Sequence, residues 1–134
     1  MANIVQIQNL AAFNTALDQA LMTLSEDDAK KVVKKVIFDA LRGFVLGTRV
    51  DTGRARGGWQ VSRNSPVRSS QRFDKTGTAV LNQALSQLVG MDISKDTIYI
   101  QNNVAYIGIL ENMDHMVENT LRRLTSLLNS GRII

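Results

Sequence analysis

His115, the single histidine of this sequence, stands beside Asp114, with Glu111 four residues before it and Glu118 three after. On a helix those offsets bring the side chains to one face, where an imidazole and carboxylates could hold a divalent ion. One histidine among surface carboxylates is also the ordinary make-up of a solvated helix face, and that is the expectation here. The sequence contains no cysteine, which removes disulfides and thiolate metal sites. A nucleophile needs an activating base within hydrogen-bond reach, and one histidine without cysteine supplies no such set. The expectation is a protein that is not an enzyme and that carries no cofactor and no metal. Gly53, Gly57 and Gly58 lie close to Arg54 and raise the question of a phosphate cradle. Their spacing is not the Gly-x-x-x-x-Gly-Lys-Ser/Thr of a P-loop, so a turn leading into a strand accounts for them better.

Charge points to binding rather than to covalent chemistry. The formal net charge is +4 over the whole chain. Residues 49–75 hold seven cations (Arg49, Arg54, Arg56, Arg63, Arg68, Arg72 and Lys75) against two anions, Asp51 and Asp74. Seven less two is +5, so the rest of the chain nets −1 and the basic excess is local. Arg54, Arg56, Arg63, Arg68, Arg72 and Lys75 could line a surface that meets nucleic acid, since arginine grips phosphate through a planar fork. A solvated basic loop would look the same. Stacking on single-stranded bases calls for interleaved aromatic residues, and only Phe73 is at hand.

The elements that must position these residues follow from periodicity. The 134 residues and 44% hydrophobic content fit one domain, 1–134, with a core. No apolar run approaches the roughly 20 residues that span a bilayer, and Met1–Gln6 show neither the basic start nor the apolar stretch of a signal peptide. A cytoplasm, or a particle assembled in one, is the expected location, with no membrane partner. Leu10, Phe13, Leu17, Leu21 and Leu24 form one stripe and predict a helix over 9–24. Ser25 is placed to cap a second helix, with Glu26, Asp27 and Asp28 in its positive first turn. That helix runs to about Leu46 and stops at Gly47. Its face of Val32, Val33, Val36, Ile37, Ala40, Leu41, Phe44 and Val45 is wide, as for a helix lying against a sheet.

Asp51-Thr52-Gly53 predicts a turn with a side-chain oxygen free to cap the next backbone amides. Alternation over 58–63 predicts a strand that buries Trp59 and Val61 on one face. Residues 63–76, polar and basic and holding the only proline, predict a mobile loop. A short helix over 78–89 points Val80, Leu81, Ala84, Leu85 and Leu88 inward. Residues 97–100 predict a strand that ends at Asn102-Asn103. Residues 104–111 suit a helical turn or a strand. A last helix over 113–130 aligns Met113, Met116, Val117, Leu121, Leu124 and Leu128 and closes at Gly131; Met91, Met113 and Met116 are expected to be packing residues. The class is α+β, three to four helices packed on a small, mainly antiparallel sheet in a single domain.

Two segments carry a further signal. Val50-Asp51-Thr52-Gly53-Arg54-Ala55-Arg56 leads to Trp59-Gln60-Val61-Ser62, and Ile98-Tyr99-Ile100-Gln101-Asn102-Asn103-Val104-Ala105-Tyr106 leads to Leu110-Glu111-Asn112. Together, in this order and after two helices, they resemble the tail-completion, or head–tail joining, proteins of long-tailed bacteriophages. Close correspondence covers about a fifth of the chain. It rests on Asp51, Thr52, Gly53, Arg54, Arg56, Trp59, Asn102, Asn103, Tyr106 and Glu111. The sequence departs from the family where Arg49 and Ala105 stand in place of prolines. It departs again where Met113-Asp114-His115-Met116 replaces a stretch rich in Gly, Ser, Gln and Pro. The resemblance implies a structural virion protein, made in the host cytoplasm, that forms a homo-oligomeric ring of about six subunits at the neck. The ring would complete the tail and meet the connector or adaptor on one side and tail-tube proteins on the other. DNA would pass through its lumen without sequence preference, with Arg63, Arg68, Arg72 and Lys75 as candidate contacts to DNA or a partner. The alternative is a small basic nucleic-acid-binding domain. A third reading is an interaction module that uses its apolar helix faces.

Overall fold

Ser25 does what its position in the sequence suggests. Its Oγ accepts a hydrogen bond from the Asp28 amide at 3.2 Å, which separates α1 (Leu10–Leu21) from α2 (Glu26–Gly47) and opens α2 on three acidic residues. The computed structural model describes residues 10–65, 72–92 and 95–131. These form six helices and one two-stranded antiparallel sheet, an α+β fold. After α2 come α3 (Arg54–Gly57), β1 (Trp59–Arg63), α4 (Thr78–Leu88), β2 (Ile98–Asn102), α5 (Ile107–Asp114) and α6 (Met116–Asn129). No helix among the described residues is long and apolar enough to cross a membrane.

The expected stop at Gly47 is displaced by one residue. Gly47 closes the last turn of α2, and the chain leaves the helix at Thr48, which is extended. The Thr48 hydroxyl donates to the Phe44 carbonyl at 2.6 Å and thereby satisfies one carbonyl at the helix end. Gly47 is small because α6 crosses there: a Cβ on it would lie 2.8 Å from the Cβ of Met116.

The wide face of α2 is buried as expected through Val32, Val36, Ala40, Leu41, Phe44 and Val45. Its cover differs from the expectation. α6 and α4 pack against it, and α1 packs on α6, so most of the α2 face meets helices rather than the sheet. The sheet touches α2 through Trp59, whose ring centroid lies 5.2 Å from that of Phe44. Residues from all these elements share one core cluster.

β1 and β2 pair with Trp59 opposite Asn102 and Arg63 opposite Ile98. Trp59 and Val61 are buried as the alternation predicts, and Ser62 is buried with them. α4 lies on β1 and closes its outer edge with a side chain. The Gln83 amide accepts from the Val61 N–H at 3.2 Å and donates to the Val61 carbonyl at 2.8 Å, which occupies both outward backbone groups of the central residue of β1.

The expected helix over 113–130 is broken. His115 takes a left-handed conformation (φ 54°, ψ 39°) and ends α5 as it begins α6. The ambiguous stretch 104–111 therefore resolves mostly into α5. The break turns Met113 out of the core, so it is exposed while Met91 and Met116 are buried. Buried Glu111 makes the corner possible: its carboxylate accepts from the amides of Val117 (2.8 Å) and Glu118 (3.3 Å), which satisfies the first turn of α6.

A corner built from two distant sequence segments

Residues 49–56 and 102–114 are about fifty residues apart in sequence and adjacent in space. The link begins in the sheet. The register places Asn102 opposite Trp59, and from there the Asn102 amide donates to the Ala55 carbonyl at 2.8 Å while its Oδ1 accepts from the Val104 N–H at 3.0 Å. Gly58 permits this approach, because a Cβ there would sit 2.5 Å from Val104 Cγ2 and 2.7 Å from Asn102 Oδ1.

On the first segment, Thr52 Oγ1 accepts from the Arg54 amide at 3.3 Å, the turn-capping role its position predicts. Gly53 adopts φ +89°, and its carbonyl accepts from both Gly57 (2.8 Å) and Asp74 (2.9 Å). α3 hangs from that carbonyl; four residues long, it has no apolar period, and periodicity does not reveal it. Trp59 is buried, and its Nε1 donates to Thr48 Oγ1 at 2.9 Å, so the start of β1 is tied to the end of α2.

The two segments enclose a pocket of about 190 Å³, lined by residues 49–55 on one side and by Tyr106 and Leu110 on the other. Val50 and Tyr106, which line it, are 41% and 42% exposed, and Ile109 and Met113 of α5 are exposed as well. Arg49 clamps the rim to α5, its Nε and Nη2 donating to the two carboxylate oxygens of Asp114 at 2.7 and 2.5 Å. Within the wall, Arg54 Nη1 is enclosed and has no hydrogen-bond partner among the described residues.

The Arg49 pair makes a checkable statement about protonation. The hydrogen bonds from Arg49, and then its charge, hold the Asp114 carboxyl below the ordinary carboxylate value, and the same pair raises the Arg49 pKa. Because the folded-state pKa of Asp114 is the lower one, its stabilising contribution is present above the ordinary carboxylate pKa. It is lost as pH falls through the lowered value. Arg49→Gln should move the Asp114 titration, followed by NMR, back towards the ordinary value. An unchanged titration would count against the pair in solution.

The remaining candidates fall into different places. Arg56 does not reach outward: it donates to the carbonyls of Lys75 (2.7 Å), Leu46 (3.3 Å) and Thr48 (2.9 Å), which corrects its expected place on a nucleic-acid surface. It caps the carbonyl end of α2 instead. Arg63, at the far end of β1, and Lys75, beside Gly53, are both exposed and are not brought together. Arg72 is half-buried, with its carbonyl against Gly57. Arg68 lies outside the described residues, as does the middle of the expected loop, 66–71. The flanks of that loop are held: Asn64 exchanges hydrogen bonds with Thr97, and residues 74 and 75 bond to Gly53 and Arg56. Asp51 and Asn103 are exposed at the corner.

Glu111, His115 and Glu118 come together, with ligand atoms within 4.8 Å of one another. His115 Nδ1 lies 3.1 Å from Glu118 Oε2, and both oxygens of Glu111 are engaged with backbone amides. Glu111 holds the bend between α5 and α6, and it is buried while His115 breaks the helix, so the expected solvated face of a single helix does not form.

Sequence reasoning missed Asp74, counting it only as a charge. Its carboxylate is buried and accepts from the amides of Gly77 and Val80, each at 3.0 Å, capping α4. An aspartate shortly before a run with helical period was the available signal. No protein-family model, no curated protein and no solved structure matches the chain.

Proposed function

We propose that this chain is a structural protein of a bacteriophage neck, forming a ring that completes the tail and joins it to the head-side connector. DNA passes through the ring. The observation that carries this reading is the meeting of the two segments behind the resemblance, about fifty residues apart in sequence, in one surface corner with a pocket and exposed apolar side chains. A ring of identical subunits needs a heterologous contact, one patch meeting a different patch on the next copy. A corner with a concave centre and exposed Tyr106, Ile109 and Met113 suits one half of such a contact.

The test is assembly. Native mass spectrometry of purified necks and images of the particles should find this chain as a closed ring at the collar. Its absence from particles would end the proposal. At the corner, Tyr106→Asp with Ile109→Asp should leave the monomer's melting temperature nearly unchanged, both positions being exposed. Hot-spot contacts are worth about 2 kcal/mol or more, so incorporation into particles should fall roughly thirtyfold. Normal incorporation would remove the corner from the interface.

A second reading, a small basic nucleic-acid-binding domain, draws on the exposure of Arg63, Phe73 and Lys75. It would be abandoned if the purified protein showed no DNA affinity at low salt.

A further inference from the structure

The basic excess read from residues 49–75 is partly consumed by the fold. Arg49 is paired with Asp114, and Arg56 is spent on three backbone carbonyls. Further cations stand outside that segment, in a cleft of about 410 Å³ between α2 and α6, lined by Lys35, Asp39, Arg42, Gly43, Leu46 and Arg123. Gly43 lets α6 come close at this point, since any side chain there would collide with Thr120. The approach brings Arg123 of α6 alongside Arg42 of α2. Neither guanidinium makes a hydrogen bond or ion pair with any described residue, and both are exposed. Lys35 is held only by Asp39, at 3.6 Å, in a pair open to water.

We propose that this cleft is a contact site for the phosphate backbone of double-stranded DNA. The inference rests on the reading that DNA passes this protein. Lys31, Lys35 and Arg42, spaced four and then seven residues apart, keep to one face of α2 and extend over roughly 16 Å of its axis. Duplex DNA carries one charge per ~1.7 Å of its axis, so a stretch of that length faces several phosphates. Among the described residues, the cleft wall contains no aromatic side chain on which a base could stack, and no asparagine or glutamine to read a base edge. Three cations with no stacking surface beside them favour phosphate, the group that duplex DNA presents most densely. Arginine's planar fork suits phosphate in two-point contact, and two such forks flank the groove.

The test uses the full chain and a short fluorescently labelled DNA duplex, with anisotropy measured from low to moderate salt. The wild type should bind, with log affinity falling linearly against log salt. In the variant carrying Lys35→Gln, Arg42→Gln and Arg123→Gln the slope should shrink by about 0.9 for each cation removed. A companion variant, Arg63→Gln with Lys75→Gln, should keep most of the wild-type slope. Asp39→Asn removes the carboxylate from the cleft wall and should tighten binding, a gain that misfolding would not produce. An excess of inorganic phosphate at matched ionic strength should not displace the duplex. No binding by the wild type, an unchanged slope in the cleft variant, or displacement by free phosphate would each overturn the inference. Ring formation in particles is read separately, so a ring without DNA affinity defeats this inference alone, and absence from particles defeats the reading beneath it.

Discussion

Trp59→Ala is expected to destabilise the protein by about 3–5 kcal/mol, a large share of the roughly 5–15 kcal/mol available to a domain of ordinary stability. Three things are lost together. The indole is buried, it packs on Phe44 at a centroid distance of 5.2 Å, and its Nε1 donates to Thr48 at 2.9 Å. Those contacts join the end of α2 to the start of β1, so the cavity opens where helix and sheet meet. Trp59→Phe keeps most of the packing and loses the hydrogen bond, which by itself should cost about 1 kcal/mol. Urea unfolding followed by far-UV circular dichroism measures both. Fluorescence would fail because Trp59 is the only tryptophan. The midpoint should move and the slope should not. A loss below about 1 kcal/mol for the alanine variant would contradict the placement of the indole in the core.

Asp74→Ala should cost on the order of 3 kcal/mol, because two buried amides, Gly77 and Val80, lose a charged acceptor and nothing replaces it. The effect should spread beyond α4. The Asp74 amide also holds the Gly53 carbonyl, and Lys75 beside it holds Arg56, so the cap and the corner share one short segment. Asp74→Asn retains one acceptor and should lose about half as much. Lys75→Ala, which keeps the backbone carbonyl that Arg56 uses, should be nearly neutral and serves as the comparison. Thermal melts of the three variants measure the order. Equal melting temperatures for Asp74→Ala and Lys75→Ala would refute the cap.

What the sequence disclosed and what it withheld divide along a physical line. α1, α2 and α4 announce themselves because their apolar stripes and the Ser25 cap are local, each decided within a few residues. β1 shows in its alternation and β2 in its β-branched and aromatic run before Asn102-Asn103, both local signals. α3 was invisible because four residues are too few to show a period, and the Gly53 carbonyl at its start is fixed by the distant Asp74 amide. The break at His115 lies inside a run with good helical period, and Glu111 decides it by turning back onto the first amides of α6. The width of the α2 face correctly promised deep burial, but it pointed to a sheet as the cover where α6 and α4 supply most of it. Charge behaved likewise. A sum over residues 49–75 gives the number of cations but not their employment, and only the folded arrangement separates Arg56, turned inward, from Arg42 and Arg123, which no described residue engages. The corner itself was half legible: its two segments stood out by residue type, while their adjacency depended on Asn102 and the strand register.

The Gln83 amide on Val61 has a consequence for how copies of this chain can meet. A small sheet with both margins open invites neighbours on either hand, and such growth continues as a ribbon. Here one margin is already taken by the molecule's own side chain. Strand addition is therefore obstructed at Val61, the centre of β1, and a ribbon grown through that margin would have to displace the Gln83 amide first. A closed assembly that leaves this contact intact is built through side-chain surfaces, and its subunit number is set by the angle at which those surfaces meet.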